Sequence, residues 1–111
     1  MATGADDLTD ERRQTQDRID ALTRDFEAVV ESCELVATDD EHDPEGQTIA
    51  FERQQVAALL ADARRHLVEL DLALARVADG TYGTCTGCAQ PIVPERLAAR
   101  PATRTCVACT P

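Results

Sequence analysis

Four cysteines near the end of the chain, Cys85, Cys88, Cys106 and Cys109, form two C-x2-C pairs separated by 17 residues. Each short pair can turn two thiolates toward one tetrahedral cation, and a loop of this length brings the pairs together. The spacing therefore predicts one Zn²⁺ site. Two disulfides are the alternative chemistry, and they require an oxidising compartment. Residues 1–20 are polar and acidic, without the basic start and apolar stretch of a secretory signal, so a reducing cytoplasm is the expected location. Four protein thiolates close a tetrahedron and leave no position for water or substrate, which makes the expected zinc structural.

No second constellation with catalytic potential accompanies the cysteines. The chain has no Ser/His/Asp arrangement, no phosphate loop and no metal site with an open position, and it is expected not to be an enzyme. Its two histidines, His42 and His66, read as solvated polar residues. The fifth cysteine, Cys33, falls among apolar positions at helical spacing and reads as a small core residue.

The cysteines must be held by something, and composition says what kind of element is available. Aromatic residues are 3% of the 111, and tryptophan is absent. Alanine and leucine supply most of the apolar content, as long helices prefer. The net charge is −10, from 21 acidic residues and 11 basic ones, all of them arginine. Residues 1–48 hold 15 acidic against 4 basic side chains, residues 49–80 hold 5 against 4, and residues 81–111 hold 1 against 3. A phosphate backbone would repel so acidic a surface, so direct nucleic-acid binding is not expected and a basic protein surface is the better partner. No apolar run approaches the roughly 20 residues that span a bilayer, so no membrane partner is expected.

Residues 1–7 have no periodicity and read as a disordered tail. From Leu8 onward the pattern is helical. Ile19, Leu22, Phe26, Val29, Cys33 and Val36 step alternately by three and four, the a/d seam of a coiled coil. Extended backwards, the seam meets Thr15 and Arg12 and weakens before Leu8. Residues 38–48 interrupt the pattern with a polar, acidic stretch, and Asp43-Pro44 reads as an N-cap with proline at the first helical position. A second helix over residues 44–79 repeats Ile49, Val56, Ala63, Leu70 and Val77 every seven residues, interleaved with Leu60, Leu67 and Leu74. Asp79-Gly80 stops it, with glycine just past the helix end.

Each helix has one apolar stripe, and a short loop joins them, which predicts an all-α fold: an antiparallel two-helix coiled-coil hairpin over residues 8–79, with its tip at 38–48, followed by a small four-cysteine zinc finger over residues 80–111. At 1.5 Å per residue, about 30 residues of hairpin span on the order of 45 Å. Within the finger, residues 94–99 are expected to form one or two helical turns with Pro94 at N1. Tyr82 is expected to dock the finger on the helices. Arg96, Arg100 and Arg104 read as solvated charges of a small module. Phe51 lies off both heptad series and either folds over the tip or meets a partner.

The sequence Gly80-x-Tyr82-Gly83-x-Cys85-x-x-Cys88, continued by Pro91-Ile92, Arg96-Leu97, Pro101 and Cys106-x-x-Cys109, resembles the C-terminal zinc finger of the DksA/TraR family of bacterial RNA polymerase regulators. An acidic coiled-coil hairpin before the finger agrees with that family's order of parts, and the resemblance covers most of the chain. It implies a transcription regulator that binds RNA polymerase directly and inserts the hairpin tip into the secondary channel, often together with ppGpp, without binding DNA. On this reading Asp39, Asp40, Asp43, Glu45 and Phe51 form the partner-binding tip. The best-known family tip reads Asp-Pro-x-Asp-x-Ala, where this chain has Asp43-Pro44-Glu45-Gly46-Gln47-Thr48. Ala89 stands where the family knuckle usually has glycine. The alternatives are a zinc-stabilised coiled-coil adaptor for another protein and a thiol redox switch that releases zinc on oxidation.

Overall fold

A computed structural model describes the backbone of residues 3–36 and 44–110, and the side chains of residues 4–31 and 48–110. Three helices follow in order: α1 (Thr3–Val36), α2 (Pro44–Asp79) and α3 (Pro94–Ala99), with a 3-10 turn at Val107–Cys109. Among the described residues the only extended pairing is an isolated antiparallel bridge between Thr84 and Pro91. Two long helices in a coiled-coil-like hairpin, followed by the cysteine cluster, are the all-α class expected from the heptad seams. Contacts divide the chain into two units, Met1–Thr15 with His66–Pro111, and Gln16–Arg65.

In the first unit, the start of α1 lies antiparallel to the end of α2. Leu8, Leu70 and Ala73 are completely buried together, and Leu74, Val77, Tyr82 and Ala102 pack against them. Glu11 reaches across to His66 Nε2 at 2.7 Å, and the Arg12 guanidinium donates to Asp71 at 2.5 Å. These exposed or half-exposed ion pairs fix register more than they add stability, since such pairs are worth about 0–1 kcal/mol.

Two expectations are corrected here. Residues 3–7 belong to α1 rather than to a disordered tail, because this turn has a surface to rest on: a Cβ at Gly4 would stand 3.1 Å from the Tyr82 ring. The seam also does not fade before Leu8. Leu8 continues the series of Thr15, Leu22 and Val29 at seven-residue intervals. Thr15 is itself buried, at 7% exposure, and Arg12 is half-buried, so a methyl group and an aliphatic stem fill the two seam positions that look polar in the sequence.

In the second unit the seam is thinner. Ile19, Leu60 and Ala63 are buried at 7% exposure each, while Leu22, Phe26, Val29, Ile49 and Val56 are half-buried. The Thr23 hydroxyl donates back to the Ile19 carbonyl at 2.7 Å, so this polar residue is accommodated within the helix. The acidic residues Asp39, Asp40 and Asp43 and also His42 lie outside the described residues, as do the side chains of Cys33 and Glu45.

The end of α2 shows why Asp79-Gly80 stops it. Gly80 takes φ +82°, its N–H donates to the Val77 carbonyl at 3.3 Å, and the Thr81 N–H donates to the Arg76 carbonyl at 2.9 Å. This is the paired bonding of a Schellman motif, which satisfies carbonyls that the helix end would leave open. Asp79 then accepts from both the backbone N–H and the hydroxyl of Thr81, at 3.0 and 2.5 Å, and these bonds, the hydroxyl first, hold its carboxyl below the usual range. The chain is thereby turned out of the helix and into the finger.

Leu8→Ala is expected to destabilise the protein by about 2–5 kcal/mol, the range for emptying a fully packed leucine site. Val68→Ala, at a position 57% exposed, should change stability by less than about 0.5 kcal/mol. Urea unfolding followed by far-UV circular dichroism separates the two.

Candidate metal centre

The finger is built on two knuckles and a short strap between them. The first knuckle closes when the Cys85 N–H donates to the Gln90 carbonyl at 2.8 Å and the Ala89 N–H returns to the Cys85 carbonyl at 2.9 Å. The second closes through bonds from the N–H groups of Cys109 and Thr110 to the Cys106 carbonyl, both at 3.1 Å. The Ile92 N–H donates to the Gly83 carbonyl at 2.8 Å, and Ile92 is buried at 4% exposure. Pro94 sits at the first position of α3, as its lost N–H permits, and the helix ends at Ala99 with Arg100 as its cap.

The four thiols converge. The Sγ atoms of Cys85, Cys88, Cys106 and Cys109 all lie within 4.8 Å of one another, and Cys88 and Cys106 are 3.8 Å apart at sulfur. A tetrahedral Zn²⁺ with Zn–S bonds of about 2.3 Å has sulfur–sulfur edges of about 3.8 Å, so the arrangement has the size of a zinc site. A disulfide bond, at about 2.05 Å, is much shorter, and the four cysteines are free. All four donors are sulfur, and they suit a structural zinc with no exchangeable position.

Cys85 anchors the cluster. It is 2% exposed, and its sulfur accepts from the N–H groups of Gly87 and Cys106, both at 3.3 Å. In the metal-free chain these dipoles, that of Cys106 foremost, hold the Cys85 thiol down to about 6. Hydrogen bonding with the side chains of Cys106, Cys85 and Cys88 pushes the Cys109 thiol up to about 12. One sulfur is thus poised as a thiolate while another keeps its proton until a cation displaces it.

Two backbone positions carry constraints. A Cβ at Gly87 would lie 3.0 Å from Cys109 Sγ, so any larger residue at this place in the first knuckle would crowd the second. Ala89 adopts φ 63°, a left-handed conformation that costs an L-residue roughly 1–2 kcal/mol. A glycine would adopt this conformation without that strain.

The strap over residues 101–105 is held at each of its carbonyls. Pro101 accepts from the Tyr82 hydroxyl at 2.8 Å, Ala102 and Thr103 from Arg76 at 3.4 and 3.5 Å, Arg104 from the Thr86 N–H at 2.8 Å, and Thr105 from Arg96 Nε at 2.9 Å. Tyr82 therefore docks the finger on the helices as expected, through its place against the Leu8 cluster, while its hydroxyl ties down the strap within the finger. Arg96 departs from its expected role as a solvated charge, because the Thr105 carbonyl and the Thr110 hydroxyl occupy it. His66 is also not simply solvated, being half-buried against Glu11 and 3.8 Å from Glu69. Arg76, Arg96, Arg100 and Arg104 share the lining of a cleft of about 520 Å³ with Glu11 and Glu69. Of the residues expected to form the tip, Phe51 is described and is 66% exposed.

Zinc affinity is expected to rise with pH. Below about 12 the Cys109 proton must leave on binding, and below about 6 Cys85 adds a further proton, so the dependence steepens on the acid side of that value. Competition with a chromophoric chelator from pH 5 to 8 reads this directly. Ala89→Gly is expected to stabilise the zinc-loaded finger by about 0.5–1 kcal/mol, the relief of left-handed strain less the added chain entropy of glycine. Thermal unfolding of the two proteins checks the sign.

Comparison with known proteins follows this geometry. Residues 80–110 match the family described as prokaryotic dksA/traR C4-type zinc finger, and that span contains Cys85, Cys88, Cys106 and Cys109 and no other cysteine. Against curated proteins the whole sequence finds no match. Among solved structures, that of transcription factor DksA2 from Pseudomonas aeruginosa aligns with a TM-score of 0.79 at 25% identity, covering 96% of this chain and 76% of that one. A zinc finger and a transcription factor are also what the expectation of a non-enzymatic protein calls for. Residues 80–110 thus match a zinc finger of the dksA/traR C4 type, in a chain that shares the fold of transcription factor DksA2.

Proposed function

We propose that this protein regulates transcription by binding RNA polymerase directly, with the acidic segment between α1 and α2 as the contacting tip and the zinc finger as its base. The observation that carries the reading is the likeness to transcription factor DksA2 along 96% of the chain, in a protein whose finger matches the dksA/traR type. Insertion of the tip into the secondary channel, cooperation with ppGpp and a cytoplasmic location belong to the same reading.

Charge supports it. Residues 1–48 hold 15 acidic and 4 basic side chains, which excludes a phosphate backbone as a favourable surface and suits a basic protein channel. The tip residues on this reading are Asp39, Asp40, Asp43, Glu45 and Phe51, with Phe51, 66% exposed, as the apolar contact. No role in nucleic-acid binding is assigned to the finger. The second reading, a zinc-stabilised adaptor for a different protein, draws on the tip sequence, where Gly46 and Thr48 replace the family's second aspartate and alanine.

Zinc-loaded protein is expected to bind purified RNA polymerase and to change transcript yield from a purified promoter. Reversing Asp39, Asp40, Asp43 and Glu45 to lysine should weaken binding at least tenfold and make the remaining affinity less sensitive to salt. Phe51→Ala should weaken it by a smaller factor. Failure of the zinc-loaded parent to bind polymerase would sink the reading, and capture of another protein, insensitive to charge reversal, would favour the adaptor.

A further inference from the structure

We infer that Arg96 is a positioning residue for zinc: its guanidinium holds the second knuckle in the geometry that brings Cys106 and Cys109 to the first.

Arg96 lies in α3, outside both knuckles, yet two of its nitrogens bond to residues flanking Cys106 and Cys109. Nε donates to the Thr105 carbonyl at 2.9 Å, immediately before Cys106. One terminal nitrogen donates to the Thr110 hydroxyl at 2.7 Å, immediately after Cys109. That hydroxyl donates in turn to the Cys106 carbonyl at 2.9 Å and is 2.9 Å from the Thr105 hydroxyl. One planar group therefore spans the knuckle from its entry to its exit.

The first knuckle does not need such a brace. It is closed by its own backbone bonds and anchored by buried Cys85, with Ile92 buried just beyond it. The second knuckle has a 3-10 turn of three residues, contains no buried side chain, and exposes Val107 at 69%. Its placement depends on the strap that delivers it. Within that strap the bonds from Arg76 are long, at 3.4 and 3.5 Å, and the short bonds from Tyr82 and Thr86 reach Pro101 and Arg104, whereas the short bond from Arg96 reaches the carbonyl immediately before Cys106. Groups that orient metal ligands from outside the coordination shell characteristically change metal affinity by 10–100-fold when removed. A lysine cannot reproduce the effect, because a single ammonium lacks the rigid fork that reaches two acceptors at fixed spacing.

The test uses the full chain and zinc alone, with affinity read by competition against a chromophoric chelator. Arg96→Ala and Arg96→Lys are each expected to bind zinc at least tenfold more weakly and to release it faster. Arg100→Ala, which removes an equal charge from the same helix end, should stay within about twofold of the parent. Far-UV ellipticity of the zinc-free chains should be the same for all, and the cobalt-substituted proteins at saturation should keep the spectrum of a tetrahedral thiolate site. Arg96→Lys keeps the charge and the aliphatic stem while losing the fork, and it decides the matter if Arg96→Ala does not fold. An Arg96→Ala affinity within twofold of the parent, full rescue by Arg96→Lys, an equal loss in Arg100→Ala, or a loss that merely follows reduced zinc-free helicity overturns the inference.

Discussion

Leu8 has no exposure because two different parts of the chain enclose it: Leu70 and Ala73 from α2, and Tyr82 and Ala102 from the finger. Apolar burial is the main favourable term in folding, and a chain with only Phe26, Phe51 and Tyr82 as aromatic residues has few large side chains with which to obtain it. The first unit concentrates that burial at a single cluster. α1 cannot begin where it does, nor can the finger rest where it does, without this contact. Zinc acts on the other side of the same arrangement, because the thiolates fix the path of the chain that presents Tyr82 and Ala102. Small domains commonly combine a modest core with a metal in this way.

The charged groups around this cluster are arranged differently from the apolar ones. Glu11, His66, Arg12 and Asp71 lie on its flank and remain partly exposed, where solvent reduces what each pair is worth. The guanidinium of Arg96 is directed instead at backbone carbonyl and hydroxyl groups. Of the finger arginines Arg96, Arg100 and Arg104, Arg96 is the one whose guanidinium is committed to structure among the described residues. Counting positive charge on the finger therefore overstates what is free to meet a ligand.

Much of this was legible in the sequence. Seven-residue recurrence of Ile49, Val56, Ala63, Leu70 and Val77 located α2, and Asp79-Gly80 located its end, because heptad geometry and a glycine at positive φ are local requirements. The C-x2-C pairs located the metal centre for the same reason. What eluded sequence reasoning depended on contacts between distant residues. Leu8 looked isolated since Thr15 and Arg12 interrupt the apolar series, although its seven-residue spacing from Thr15 and Leu22 was a usable signal. Ala73 lies off both series and is nonetheless completely buried, in a cluster that Leu8 and finger residues Tyr82 and Ala102 help to close. Arg96 looked like any surface arginine, since nothing in its neighbours announces that Thr105 and Thr110 will face it.

The strap over residues 101–105 has a further consequence. An irregular segment in a small domain with little sheet structure could offer a free edge, a row of open carbonyls onto which another chain might add as a strand. Here each of the five carbonyls already has a donor, from Tyr82, Arg76, Thr86 or Arg96. The bonds that shape this stretch thus also engage every one of its carbonyls at least once, which makes it a poorer template for an added strand than an open edge would be.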